Sequence, residues 1–222
     1  MLIIHENLKK IYPDAKLGIL VMKDVENLPT DSEFIKAKMA VIDDLFKQYE
    51  NYNRKDFVNS EPICHYINYY KKFKKTYHVL LQLESVVLKS HPVPNVSTLV
   101  ESMFLAELKN LLLTAAHDFD KIQFPIELNL AEGSESFIVI SGKQQSTTPN
   151  DMMLCDEEGI ISSILNGPDS RTQITSDTKN VLFYTYAPNG IDDNTIYNHL
   201  NDIVSYVYIF SPNAKVDLLD IF

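Results

Sequence analysis

The chain has 222 residues, 45% of them hydrophobic, and a formal net charge of −10 from 20 basic and 30 acidic side chains. That length supports one full core or two small ones, and no apolar run approaches the ~20 residues that span a bilayer. The acidic balance argues against a protein that wraps a long stretch of nucleic acid, because neutralising phosphates needs Lys and Arg. Cys64 and Cys155 are the two cysteines, which leaves no disulfide framework. Met1 to Glu6 lacks the basic region and apolar core of a signal peptide, so a reducing cytoplasm is the expected location.

Taken in chain order, Leu17 to Met22 is a short apolar run that reads as a buried strand. Thr30 and Glu33 fit a capping box, and a helix follows to about Tyr49, with Phe34, Met39, Ile42, Leu45 and Phe46 near helical spacing. Glu50 to Glu61 is polar and reads as a loop. Pro62 suits the first turn of a helix carrying Ile63, Ile67, Tyr70 and Phe73, and Leu80, Leu83, Val86 and Val87 mark another. His91 to Asn95 reads as a proline-stiffened turn. A strongly apolar helix is expected from about Ser97 to Leu113.

After Lys121 the period changes from helical to alternating. Strands are expected at Ile126 to Leu130, Ser136 to Ile140, Met152 to Cys155, Ile160 to Leu165 and Val181 to Tyr186. Asp192 or Asp193 caps a last helix, and Ala214 to Phe222 adds an edge strand. A helical half packed on a mainly antiparallel, sandwich-like half gives an α+β fold. No Pro/Gly linker divides the chain, so residues 1–222 read as one domain.

The polar clusters that bracket these strands hold the candidate chemistry. His117 with Asp118 and Asp120 offers three readings: a metal site, an acid–base pocket residue, or carboxylates that cap and brace a turn. Three ligands from one loop rarely complete a metal site, so none is expected. Arg171, beside Ser170, is suited to a carboxylate or phosphate, or to pairing with Asp169 or Asp177. Thr175 and Thr178 read as turn caps, and Asn95 as a cap or turn residue. Lys71, Lys72, Lys74 and Lys75, interleaved with aromatics, read either as a phosphate-contacting patch or as cations at a helix C-terminus. No Gly-rich phosphate loop and no nucleophile elbow is present, and no cofactor is expected.

The segments Ala116-His117-Asp118-Phe119-Asp120-Lys121-Ile122 and Thr175-Ser176-Asp177-Thr178-Lys179-Asn180-Val181-Leu182 resemble the tRNA-binding and editing domain of the phenylalanyl-tRNA synthetase β chain. They are closer still to its stand-alone relatives. The resemblance covers roughly residues 10–222 and implies a three-layer, editing-domain-like fold. It also implies the aminoacylated end of a tRNA, or an amino-acid-like ligand, as partner, and hydrolysis of a mischarged ester in trans rather than a full ligase activity. His117 and Asp118 would then be catalytic. Arg171, Ser170, Thr175 and Asn95 would bind substrate, and the four lysines would touch the tRNA backbone. In the synthetase segments a His stands where this chain has Ala115, and a Glu where it has Tyr184. The alternative is a non-catalytic module that uses the same pocket for an amino acid, a peptide or a protein partner. An unrelated small-molecule hydrolase ranks below both, since no nucleophilic triad can be assembled.

Overall fold

The structure, a computed structural model, describes residues 2–222. Strand β1 (Leu2–Ile4) and helix α1 (Glu6–Ile11) precede β2 (Lys16–Lys23). Five helices follow: α2 (Ser32–Gln48), α3 (Arg54–Phe57), α4 (Ile63–Lys72), α5 (His78–Lys89) and α6 (Thr98–Asn110). Next come β3 (Thr114–Asp118), a 3-10 turn at Phe119–Lys121, β4 (Ile126–Leu130), β5 (Ser136–Ile138) and β6 (Gln144–Ser146). The chain continues through β7 (Met152–Asp156), β8 (Gly159–Ser163), β9 (Gly167–Pro168) and β10 (Val181–Ala187), then α7 (Asp193–Phe210) and β11 (Lys215–Ile221). Among the described residues no helix is long and apolar enough to cross a membrane.

The strands form a five-stranded sheet in the order β1-β4-β7-β8-β9, a four-stranded sheet in the order β11-β2-β10-β3, and the hairpin β5-β6. One face of the four-stranded sheet carries α7, whose close approach requires Gly18. A Cβ at that position would lie 2.4 Å from Ile196 Cγ2. The opposite face points at the five-stranded sheet, where Tyr184 and Tyr186 of β10 both reach Ser162 of β8. This stack of helices, sheet and sheet is the α+β arrangement expected from the sequence. Its halves interleave more than the pattern implied, because β1 and β2 come from the helical half and α7 from the other.

Tyrosines of α4 tie the helical layer to both sheets. Tyr66 OH donates to Tyr186 O at 2.6 Å, Tyr69 OH to Asp151 Oδ1 at 2.7 Å and Tyr70 OH to Ile164 O at 3.0 Å. Each phenol buries its ring and spends its one polar atom on a partner, as a core tyrosine must. The Tyr66 and Tyr77 rings stack at 4.5 Å, which locks α4 against the start of α5.

Several boundaries differ from the sequence reading. The α2 cap is Asp31, which accepts from Phe34 N at 2.8 Å, rather than Thr30. The polar stretch after α2 holds the short helix α3. Helix α6 stops at Asn110, and Leu111 takes a left-handed φ of 61°. The residues after it lead into β3 instead of extending the helix. His117 and Asp118, for which one reading was a turn braced by carboxylates, close a wholly buried strand, Thr114–Asp118, at the edge of the four-stranded sheet.

Candidate functional site

A cavity of about 400 Å³ opens where the edge strands β3 and β9 meet α5 and α6. Three small residues of β3, Thr114, Ala115 and Ala116, leave the room for it. Val100, Met103, Phe104 and Glu107 of α6 form one wall, and His78 and Gln82 of α5 another. Ser162, Ser163 and Ile164 close the side of the five-stranded sheet, with Gly167 of β9 and with Gln173 and Ile174 from the loop after it. Gly167 has φ 77°, a left-handed conformation that suits glycine and turns the chain at the rim. A mostly apolar cavity of this size with a few convergent polar groups is the ordinary form of a small-ligand site.

His117 lies outside this wall. Its side chain is 0% exposed, on the same face of β3 as Ala115 but one pleat deeper. The ring stacks on Tyr184 at 5.2 Å, with Nε2 2.9 Å from the Tyr184 hydroxyl and Nδ1 2.5 Å from Thr172 Oγ1. Both ring nitrogens therefore have hydroxyl partners. Burial, with the Arg171 charge adding to it, lowers the imidazole pKa to about 3, so the ring is neutral at physiological pH. The Tyr184 hydroxyl is in turn hydrogen-bonded to Ser162 Oγ, and Tyr186 OH lies 2.8 Å from the same oxygen. At the other end Thr172 Oγ1 donates to the buried carboxylate Asp169. A chain of hydroxyls and one imidazole thus runs from Asp169 to Ser162 in the cavity wall.

The remaining candidates divide between structural bracing and exposure. Asp118 accepts from Thr178 Oγ1 at 2.8 Å and from Asp120 N at 3.2 Å, and lies 3.5 Å from Lys121 Nζ. This is the bracing arrangement. Arg171 pairs with Asp156 at 2.7 Å and with Glu158 at 3.4 Å, and its Nε is 3.7 Å from Asp169. The guanidinium is engaged by the protein's own carboxylates and fastens the loop that carries Gln173 and Ile174. Asp177, the other partner weighed for it, is not among these contacts. Ser170 N bonds Ile138 O at 2.8 Å. Thr175 Oγ1 accepts from Asp177 N, and Thr178 Oγ1 from Thr175 N, so the two threonines cap a turn as expected. Asn95 is exposed in the turn before α6, next to Val96 at the cavity mouth. His117 and Arg171 do not share the cavity.

Lys71, Lys72, Lys74 and Lys75 are all exposed at the end of α4 and in the turn after it. Lys72 Nζ sits 4.2 Å over the Tyr12 ring. Among the described residues no cluster of His, Cys, Asp and Glu is suited to hold a metal ion. The sequence reading passed over Glu107, Ser162, Ser163, His78 and Gln173. Glu107 did leave a signal, since it is a charge on the apolar stripe of α6, four residues after Met103. The serines left none, because their position depends on how β8 meets β10.

The model of the B3/4 domain matches residues 65–208, and the chain belongs to that family. The phenylalanine–tRNA ligase beta subunit of Mycoplasma genitalium is 27% identical over 176 residues, 74% of this chain and 20% of that protein. The Mycoplasma pneumoniae beta subunit is 33% identical over 67 residues, 30% of this chain and 8% of that one. This chain therefore spans at most about a fifth of the length of these curated relatives. An N-terminal fragment of the phenylalanyl-tRNA synthetase beta subunit from Pyrococcus horikoshii has the same fold. It has a TM-score of 0.50 at 16% identity, covering 100% of this chain and 53% of the fragment. The two positions that depart from the synthetase segments, Ala115 and Tyr184, are direct cross-strand partners in β3 and β10. The side-chain change at one is thus felt at the other.

Proposed function

We propose that this chain binds the aminoacylated end of a tRNA and hydrolyses a mischarged ester in trans. The aminoacyl group enters the cavity, and the adjoining phosphates lie on Lys71, Lys72, Lys74 and Lys75. The observation that carries this reading is the cavity itself, mostly apolar with the hydroxyls of Ser162 and Ser163 in its wall. The basic cluster precedes α5, which supplies part of that wall, and Lys72 and Lys74 line a separate cleft with Tyr12 and Asn150. His78 in the wall follows Lys75 by three residues. The Lys75 charge also acts on Asp151, whose carboxylate holds Leu165 N next to wall residue Ile164. The curated relatives, named as ligase beta subunits, support a tRNA end as the ligand.

In this reading Ser162 is the hydroxyl that meets the ester or its attacking water, and Tyr184 and His117 hold its orientation. A buried imidazole with its pKa near 3 is too weak a base to deprotonate water itself. His117 is therefore a positioning residue, and Asp118 steadies the same segment through Thr178 and Lys121. Arg171, Ser170 and Thr175 act on substrate through the order they give the loop at the wall, and Asn95 stands beside the mouth. Rate enhancement then comes from orientation and exclusion of bulk water. The same weak base favours a second reading, in which the cavity binds the aminoacyl end without cleaving it.

The test uses purified protein with tRNAs charged with tyrosine, phenylalanine, alanine or serine, following binding and ester loss together. Four phosphate contacts on a single strand give a slope of log affinity against log salt of about −3. Replacing all four lysines with alanine flattens it. Ester loss from one species above the spontaneous rate, abolished by Ser162→Ala, supports hydrolysis. Lysine-dependent binding without ester loss supports the second reading. Binding that ignores the lysine replacement contradicts both.

A further inference from the structure

The cavity wall contains one carboxyl group, Glu107, and among the described residues no lysine or arginine lines it. Glu107 is in the last turn of α6 and is 2% exposed. Its Oε1 accepts from Thr114 N at 2.8 Å, which fixes the carboxyl at the corner where α6 gives way to β3. The ionisable groups around it are the phenols of Tyr66, Tyr70 and Tyr77, on α4 and at the start of α5. His78 of α5 shares the cavity wall, and burial lowers its pKa. None of these supplies a fixed positive charge.

A carboxyl in this place costs the fold stability. Ionising it without a counter-ion is expensive, and a negative charge near a helix C-terminus opposes the dipole. Burial accordingly lifts its pKa to about 8, against the smaller opposing effect of the Thr114 amide. A glutamine would keep the bond to Thr114 N without that cost, so structural duty alone does not call for Glu.

We propose that Glu107 is the amine-binding residue of this cavity, so that its ligand is an apolar group bearing a primary ammonium. This rests on the reading of the cavity as the seat of an aminoacyl group, and it names the part of that group the protein reads. The incoming ammonium supplies the missing counter-ion, and the charged pair it forms in an apolar wall is a strong, short-range contact. The side chain of the ligand then lies against Val100, Met103, Phe104 and Ala116. A ligand without the amine leaves Glu107 protonated and unpaired, so the cavity discriminates by charge as well as by shape.

The test is calorimetric titration at neutral pH with phenylalaninamide, tyrosinamide and leucinamide. Each is compared with its desamino counterpart: 3-phenylpropanamide, 3-(4-hydroxyphenyl)propanamide and 4-methylpentanamide. At least one amine is expected to bind wild-type protein tenfold or more tighter than its counterpart. Glu107→Gln removes that preference by weakening the amine alone, and Glu107→Asp keeps part of it. The wild-type comparison stands even if a variant folds poorly. Amines that bind Glu107→Gln as well as wild type, or counterparts that bind wild type as tightly as amines, overturn the assignment and leave the cavity reading intact. Failure of all six compounds to bind overturns both.

Discussion

At the residue scale, the buried titratable groups give this protein an unusual dependence on pH. Glu107 has a raised pKa in the folded state, about 8 against 4.5. The folded chain therefore holds that proton more tightly than the unfolded chain. The stability linked to it is fully present below the unfolded value and is lost as pH rises towards the folded one. The full shift corresponds to a loss on the order of 5 kcal/mol. Glu107→Gln is expected to remove this alkaline loss, which urea denaturation from acid to mildly alkaline pH will reveal. Parallel curves for the two proteins would contradict the assignment. His117 and His199 act in the opposite sense, since burial lowers them to about 3 and about 4. Their stability is lost as pH falls below the ordinary histidine value. The chemical types of these residues were legible in the sequence, but their environments were not. His117 stood in a polar run that suggested a loop, whereas its pairing to β10 makes it core.

At the scale of elements, what could be read was what local pattern determines. The apolar run of β2, the periodic stripes of α2 and α5, the alternation of β4 and the Asp192 cap of α7 all lie where the sequence placed them. What escaped were elements made by tertiary pairing. Strand β3 has Thr, two Ala, His and Asp, a poor strand composition, and exists because β10 pairs with it. Strand β9, two residues long, is held by β8 and by a bond of 3.3 Å from Ile140 N to Pro168 O. Both border the cavity, so the elements hardest to read were those that build the site. Gly18 shows a related limit: nothing local marks it, yet α7 seats against its bare Cα. Gly18→Ala is expected to destabilise the fold by about 1–3 kcal/mol through overpacking against Ile196. A shift in the urea midpoint with an unchanged slope measures this. An unshifted midpoint would show that α7 can move away without loss.

At the scale of the whole molecule, a net charge of −10 sets the terms of any encounter with a polyanion. Under the proposed function, long-range repulsion would confine contact with a tRNA to the neighbourhood of the four lysines, and so to its end rather than its body. The cavity itself belongs to no single layer: it forms where the free edges of both sheets leave a gap that α5 and α6 cover. A ligand there touches the helical layer and both sheets together, so side chains far apart in the chain meet on one small molecule. The measurement that tests this arrangement most directly is a crystal structure with an adenosine whose 3′ position carries tyrosine or phenylalanine through a stable amide bond. The aminoacyl group is expected in the cavity, with its ammonium at Glu107, its carbonyl near Ser162 and its adenosine towards His78 and the lysine turn. An analogue bound elsewhere on the surface, or a cavity left empty at saturating analogue, would contradict it.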